Sequence, residues 1–277
     1  MFGVSRQVYY RRIRHVKSMQ RKAEAVKSLV QQIRIRMPRL GTRKLHYMLH
    51  EELKTLHIGR DGLFRILRAN HLLISPKRSY HVTTNSHHRF RKHKNKVENM
   101  AIVRPEQVWV ADITYLGNRD QPCYLALITD AYSKMIVGHS VSEHLDTANC
   151  TAALKMAAKN RRYKNAPLIH HSDRGIQYCS DEYQAALTGK EIDCSMTESY
   201  DPYQNAVAER VNGILKQEFM IDRCRAPVAV IRQVVRESIE IYNYERPHFS
   251  CHLNTPAKMH SQTKLVMKTY RKAHHLT

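Results

Sequence analysis

Three acidic side chains stand where an acid is costly or conspicuous. Asp112 lies inside VWVADITYL, Asp173 ends the apolar run of LIHHSDRG, and Glu209 sits amid apolar residues in SYDPYQNAVAERVNGILKQE. In an extended strand Val108, Val110, Asp112, Thr114 and Leu116 share one face, while Trp109, Ala111, Ile113 and Tyr115 share the other. A carboxylate on such a strand is penalised by desolvation unless something positive pairs with it. Asp173 falls at the C-terminal end of its strand, where open α/β sheets bind ligands. On a helix, Asn205, Glu209, Asn212 and Lys216 line one stripe beside the apolar stripe Val207, Val211, Ile214 and Leu215. Taken singly, Asp173 also reads as an ordinary turn residue and Glu209 as an ordinary surface acid. Asp130 in a hairpin turn and Asp181 in the first turn of a helix are of that kind.

Taken together, two strand acids and one helix acid could converge on one rim of a sheet. Neighbouring carboxylates repel, a divalent cation resolves that repulsion, and hard oxygen ligands select Mg²⁺ or Mn²⁺. Two such ions suit phosphoryl transfer. One activates an attacking water or 3'-hydroxyl, and the other stabilises the leaving 3'-oxygen.

The charge distribution names a polyanionic partner for that chemistry. The 277 residues carry a formal charge of +22, and residues 1–99 hold 24 Lys and Arg against 5 Asp and Glu, an excess of 19. Nucleic acid and anionic membrane are the polyanions at issue. No run of 18 apolar residues exists, and the start MFGVSRQVYYRRIRHVK lacks a signal peptide's apolar core, so the reading is of a soluble, unsecreted protein. The scattered cysteines have no Cys-x-x-Cys spacing and suit a reduced compartment. The histidines of NSHHRFRKHKNK sit in a polar basic run and read as part of it.

The elements that must position the acids follow from periodicity. Val26, Leu29, Val30 and Ile33 predict a helix within residues 19–36. A second helix is expected over Thr42–Leu53, with Thr42 as its N-cap, and a third from about Gly59, exposing Arg60, Arg65 and Arg68. Two short helices with a tight connection fit a helix-turn-helix. Residues 74–99 lack the apolar content for a core and read as a basic linker or arm against phosphates. Beyond Met100 the order is strand (Gln107–Leu116), two strands within Cys123–Val141 turning at Asp130–Lys134, and a helix in LDTANCTAALKMAAKNR with Leu154 and Met156–Ala158 on its apolar surface. A strand ending at Asp173, a helix capped by Ser180, a short strand in IDCSMTES and the Glu209 helix complete it. That order predicts an α/β mixed sheet with helices against it.

These residues resemble the superfamily of DDE transposases and retroviral-type integrases, and within it the second-reading-frame product of bacterial insertion sequences. WVADITYL carries the first acid, HHSDRGIQYCS the second, and 35 residues separate Asp173 from Glu209, with Lys216 seven beyond. YNYERPHFSCHLNTPAKM looks like the C-terminal YN-x-x-RPH signature, and RMPRLGTRKLHYMLHEE through ILRANHLLISPKR like the preceding DNA-binding segment. The resemblance implies an RNase H-like five-stranded sheet of order 3-2-1-4-5 behind a basic all-α helix-turn-helix-like domain. The boundaries it suggests are 1–73 for that domain, 74–99 for the arm, 100–222 for the catalytic core and 223–277 for a C-terminal helical extension.

It further implies that Asp112, Asp173 and Glu209 are catalytic and bind two Mg²⁺ ions, for which Mn²⁺ substitutes. Lys216 is expected on DNA phosphate, Asn205 at the start of the acid helix or on DNA, and Arg43, Lys44, Arg60 and Arg65 on DNA. The implied activity is cleavage at element ends and transfer of 3'-OH ends into target DNA. A transposase-derived DNA-binding regulator and a Mg²⁺-dependent nuclease are the rivals, separated from it by product chemistry. Expected partners are double-stranded DNA, a second copy in a dimer or higher oligomer on DNA, and the upstream-frame helix-turn-helix product. The expected location is the bacterial cytoplasm, away from membrane.

Overall fold

Helix-forming Arg, Gln and Lys residues, uninterrupted by Gly or Pro, carry the first helix, α1, over Arg6–Arg36, with the Ser5 side chain accepting from the Val8 N–H. The helix therefore starts well before the periodic segment, because an exposed helix needs propensity and a cap rather than an apolar stripe. Only Val26 and Val30 are buried along it. The computed structural model describes residues 5–75, 93–98, 100–117, 121–197 and 205–261. Most of the basic arm, including SHHRFRK, and the SYDPYQ stretch before the Glu209 helix lie outside these residues.

The chain divides into two units, Met1–Lys77 and Arg78–Thr277. In the first, the expected second helix is two, α2 (Thr42–Met48) and α3 (His50–Thr55), interrupted at Leu49 (φ −98°, ψ 24°). Gly41, not Thr42, is the N-cap, and Thr42 is a buried first-turn residue. Helix α4, Arg60–Ala69, follows Gly59 as expected. Leu40, Leu45, Leu53, Leu63 and Leu67 join Val26 and Val30 in the buried set. Each full burial of such a side chain contributes roughly 1.5–3 kcal/mol. Arg34 closes the unit by donating to Leu72 O at 2.8 Å and Leu40 O at 3.2 Å.

The second unit is built on one mixed sheet. Its strands are β1 (Val108–Gly117), β2 (Pro122–Asp130), β3 (Ile136–Ser142), β4 (Ile169–Ser172) and β5 (Asp193–Met196), in the order β3-β2-β1-β4-β5. β1 pairs antiparallel with β2 and parallel with β4, and β4 pairs parallel with β5. Helices α5 (Thr147–Lys159), α6 (Ile176–Cys179) and α7 (Asp181–Thr188) supply Cys150, Ala153, Leu154, Ala157, Tyr178, Tyr183 and Leu187 to a core with Trp109, Ala111, Ala126 and Ile128. Met156 of the expected apolar surface is instead exposed, since the buried stripe of α5 runs through Ala153, Leu154 and Ala157. Val108 and Val110, of the other β1 face, pack with Ala208 and Val207 of α8 (Ala206–Glu218). Asp112 shares that face. Among the described residues no helix is long and apolar enough to cross a membrane, and all six cysteines are free thiols.

Gly138 in β3 lets α5 approach closely: a Cβ there would stand 2.2 Å from the Ala153 carbonyl oxygen. Gly138→Ala is expected to cost about 1–3 kcal/mol, the scale of overpacking, and a urea titration against wild type measures it.

Helices α9 (Val228–Tyr244) and α10 (Pro256–Ser261) complete the unit. Asp130 ends β2 fully buried, its Oδ1 accepting from Ser133 N and Oγ, each at 2.7 Å, and its Oδ2 from Glu106 N at 2.7 Å. His260 of α10 meets Ser133 Oγ at 2.9 Å and Glu106 Oε1 at 3.4 Å. Burial alone would lower the His260 pKa, but hydrogen bonds to Asp130 and Glu106 outweigh it and push it up to about 9. A histidine raised in the folded state stabilises fully below its unfolded value of about 6.5, and that contribution is lost as pH rises through about 9. Denaturant titrations of His260→Gln and wild type are therefore expected to converge between pH 7 and pH 10.

Candidate active site

The parallel register brings the two strand acids together. Val110 pairs with His171 across β1 and β4, so Asp112, in the middle of β1, and Asp173, just past the C-terminal end of β4, each two residues further on, emerge at the same level. Asp173 enters a tight turn in which its Oδ1 accepts from Gly175 N at 3.0 Å. A Cβ on Gly175 would stand 3.0 Å from that same oxygen, so glycine leaves the carboxylate room. Behind β4, His170 is buried against Tyr183 OH at 2.9 Å, and burial holds its pKa down to about 3, which keeps it neutral. The adjacent His171 meets Ser195 Oγ at 2.9 Å. Both histidines belong to the scaffold of the second acid's strand, with His170 Nδ1 left buried without a hydrogen-bond partner.

Helix α8 brings the third acid. Its polar stripe faces Asp112: Asn212 Nδ2 donates to Asp112 Oδ2 at 2.6 Å. Asn205, buried at the N-cap, donates from Nδ2 to Ala111 O at 3.0 Å and ties the helix start to β1. Glu209 lies exposed in the first turn, where the helix dipole favours a carboxylate.

Asp112 registers its neighbours electrostatically. Burial, then the charges of Asp173 and Glu209, push its pKa up to about 7 against the opposing hydrogen bond from Asn212. Desolvation also raises Glu209. Burial lowers the ammonium of half-buried Lys216, while the Asp112 charge raises it. Asp173, Glu209 and Lys216 thus each lie within electrostatic reach of Asp112.

Among the described residues no group of three or more His, Cys, Asp or Glu side chains is placed to hold a metal ion. The donor set fits a hard divalent cation in kind. Asp112 carries an electrostatic cost that a bound cation would remove, and the charges that raise it are those of carboxylates.

In the first unit Arg43, Arg60 and Arg65 are exposed, and Arg60 pairs with Asp61 at 3.0 Å. Lys44 is buried, 6% exposed, and so is not presented to solvent as the other three are. Asn212 is the site residue the pattern of acids passed over. Its signal was present, since it lies one turn after Glu209 on the same stripe.

Residues 103–202 match the integrase core domain family, and residues 190–256 match a second family of the same description. The chain is 36% identical over 252 residues to the insertion element IS600 uncharacterized 31 kDa protein of Shigella sonnei, covering 90% of this chain and 92% of that one. It is 34% identical over 143 residues to the transposase for insertion sequence element IS629 of Shigella sonnei, which spans 52% of this chain and 48% of that one. Among solved structures, a chain of the simian T-cell lymphotropic virus intasome in complex with PP2A regulatory subunit B56 gamma shares the fold. It has a TM-score of 0.51 and 21% identity over 84% of this chain and 79% of that one.

Proposed function

From the premise that this chain belongs to the DDE transposase and integrase family, we propose that it cuts DNA at the ends of an insertion sequence and joins the freed 3'-OH ends to target DNA. The observation that carries this reading is the juxtaposition of Asp112, in the middle of β1, and Asp173, at the end of the adjacent parallel β4, with the Glu209 helix hydrogen-bonded to Asp112. Asp112, Asp173 and Glu209 are the catalytic carboxylates and would hold two Mg²⁺ ions, for which Mn²⁺ substitutes. When bound, such ions supply activation of the attacking oxygen and charge neutralisation at the phosphate.

The chain's own residues do the rest. Asn212 occupies one oxygen of Asp112 with an N–H and fixes the carboxylate plane. Lys216, whose pKa burial lowers against the partly compensating charge of Asp112, offers a cation to a DNA phosphate beside the acids. Asn205 fixes the start of α8. Arg43, Arg60 and Arg65 of the helical unit contact backbone phosphates, and this phosphate binding weakens steeply with salt. Residues 1–73 are the DNA-binding domain, 74–99 an arm along the duplex, 100–222 the catalytic core and 223–277 its extension. Because two ends must be joined, the working form is a dimer or larger assembly on double-stranded DNA, together with the upstream-frame product, in the bacterial cytoplasm.

The test uses the full chain, labelled duplexes bearing the ends of the element that encodes it, and Mg²⁺ or Mn²⁺. Nicks at the ends followed by joined products are expected. Nicks without joining would make the protein a nuclease. Specific binding with no metal-dependent cut, also with the upstream-frame product added, would make it a regulator.

A further inference from the structure

The segment YNYERPH, residues 242–248, takes no part in the chemistry above, yet Tyr242, Asn243, Arg246 and His248 are buried. Asn243 grips β3 with both amide atoms, Oδ1 accepting from Ile136 N at 3.0 Å and Nδ2 donating to Ile136 O at 2.9 Å. Tyr242 OH donates to Lys134 O at 2.9 Å. This end of α9 is thereby fixed to the sheet. From that fixed point Arg246, 2% exposed, reaches Glu218 with both edges of the fork, Nε to Oε2 and Nη2 to Oε1, each at 2.8 Å. Its guanidinium also lies over the Tyr242 ring at 5.5 Å.

Glu218 is the last residue of α8, the helix with Glu209 in its first turn and Lys216 in its last. Apolar packing through Val211, Ile214 and Leu215 is non-directional and leaves a helix free to turn slightly or slide. With side chains reaching about 5–6 Å from the axis, a turn of ~10° displaces a carboxylate by ~1 Å. Asn205 pins one end of α8 to β1, and a two-point ion pair pins the other.

We propose that Arg246 is a positioning residue: its fork on Glu218 sets the rotation and height of α8, and so the placement of Glu209 and Lys216 against Asp112. Its burial and two-point pairing exclude a direct role on DNA phosphate. The catalytic half of this rests on the reading of Glu209 given above, whereas the anchoring of α8 does not.

Two arms test it on the full chain. In the first, hydrogen exchange of the metal-free protein is followed in peptides spanning residues 206–218. Arg246→Gln and Glu218→Gln are expected to exchange there roughly tenfold faster, a change of about 1.4 kcal/mol in local opening, with β1 and β4 unchanged. Arg246→Lys, which keeps the charge but not the fork, recovers only part of the protection. Unchanged exchange over 206–218 would overturn the anchoring, whether or not the wild type cuts DNA.

In the second arm, Glu218 and Arg246 are both changed to Met, because apolar replacement of a buried pair commonly preserves stability. The expected result is a melting temperature near wild type with kcat lowered on the order of 100-fold, the effect of ~1 Å misplacement, and KM for DNA unchanged. Wild-type kcat in this double variant, or a raised KM with kcat intact, would overturn the catalytic half.

Discussion

Changing Glu209 to Gln is expected to lower cutting and joining of element ends on the order of 10³-fold, the scale of losing a preorganised charge partner of the transition state. The substitution keeps size and polarity and removes only the negative charge. Glu209 is exposed in the first turn of α8, so the fold loses at most its interaction with the helix dipole, about 0.3–1 kcal/mol. Folding and DNA binding are therefore expected to persist while product disappears. The measurement pairs a strand-transfer gel with a binding isotherm on the same labelled duplex. Joined product at wild-type yield from the Gln protein would remove Glu209 from the catalytic set.

Asp112→Asn is expected to have two opposite effects, abolishing activity while stabilising the metal-free protein at alkaline pH. Burial and the charges of Asp173 and Glu209 push the Asp112 pKa up to about 7 from its ordinary value near 3.8. A carboxyl raised in the folded state binds protons more tightly there than in the unfolded chain. Wild-type stability should therefore fall as pH rises from about 4 to about 7, and stay reduced above it. Asparagine never ionises, and its side-chain oxygen can still accept the Asn212 hydrogen bond that Asp112 Oδ2 accepts now. At pH 8 the variant should melt a few degrees above wild type, since about 1 kcal/mol shifts Tm by roughly 2–4 °C at this size. At pH 5, where Asp112 is neutral in the fold, the difference should shrink. Added Mg²⁺ should raise Tm of wild type at pH 8 and leave the variant little changed. A variant that melts below wild type at both pH values would show that Asp112 is not under electrostatic strain.

Much of the fold was legible locally because side-chain periodicity is a local property. Alternation along VWVADITYL placed Asp112 on the same face as Val108 and Val110, and that face packs with α8. Ser180 caps α7 as its position before Asp181 suggests, accepting from Tyr183 N. The polar stripe of α8 borders the apolar one as helical spacing implies, with Val211, Ile214 and Leu215 buried. Helix starts were less legible. α1 extends back to Arg6 without apolar spacing, and Gly41 rather than Thr42 takes the cap. Propensity and backbone geometry decide such ends, and neither leaves a periodic mark.

What the residues determined by themselves was the kind of chemistry: three hard acids at distinctive spacing, on a chain whose excess positive charge calls for a polyanion. What only the tertiary structure decided was who touches whom across the chain. Asn212 meets Asp112 from 100 positions away, Arg246 closes on Glu218 from 28 away, and Lys44, cationic by type, is buried while Arg43 beside it is exposed. The physical reason is one of range. Hydrophobic periodicity reports which way a side chain points from its own element, whereas a hydrogen bond or ion pair between elements depends on register and packing that no single segment encodes.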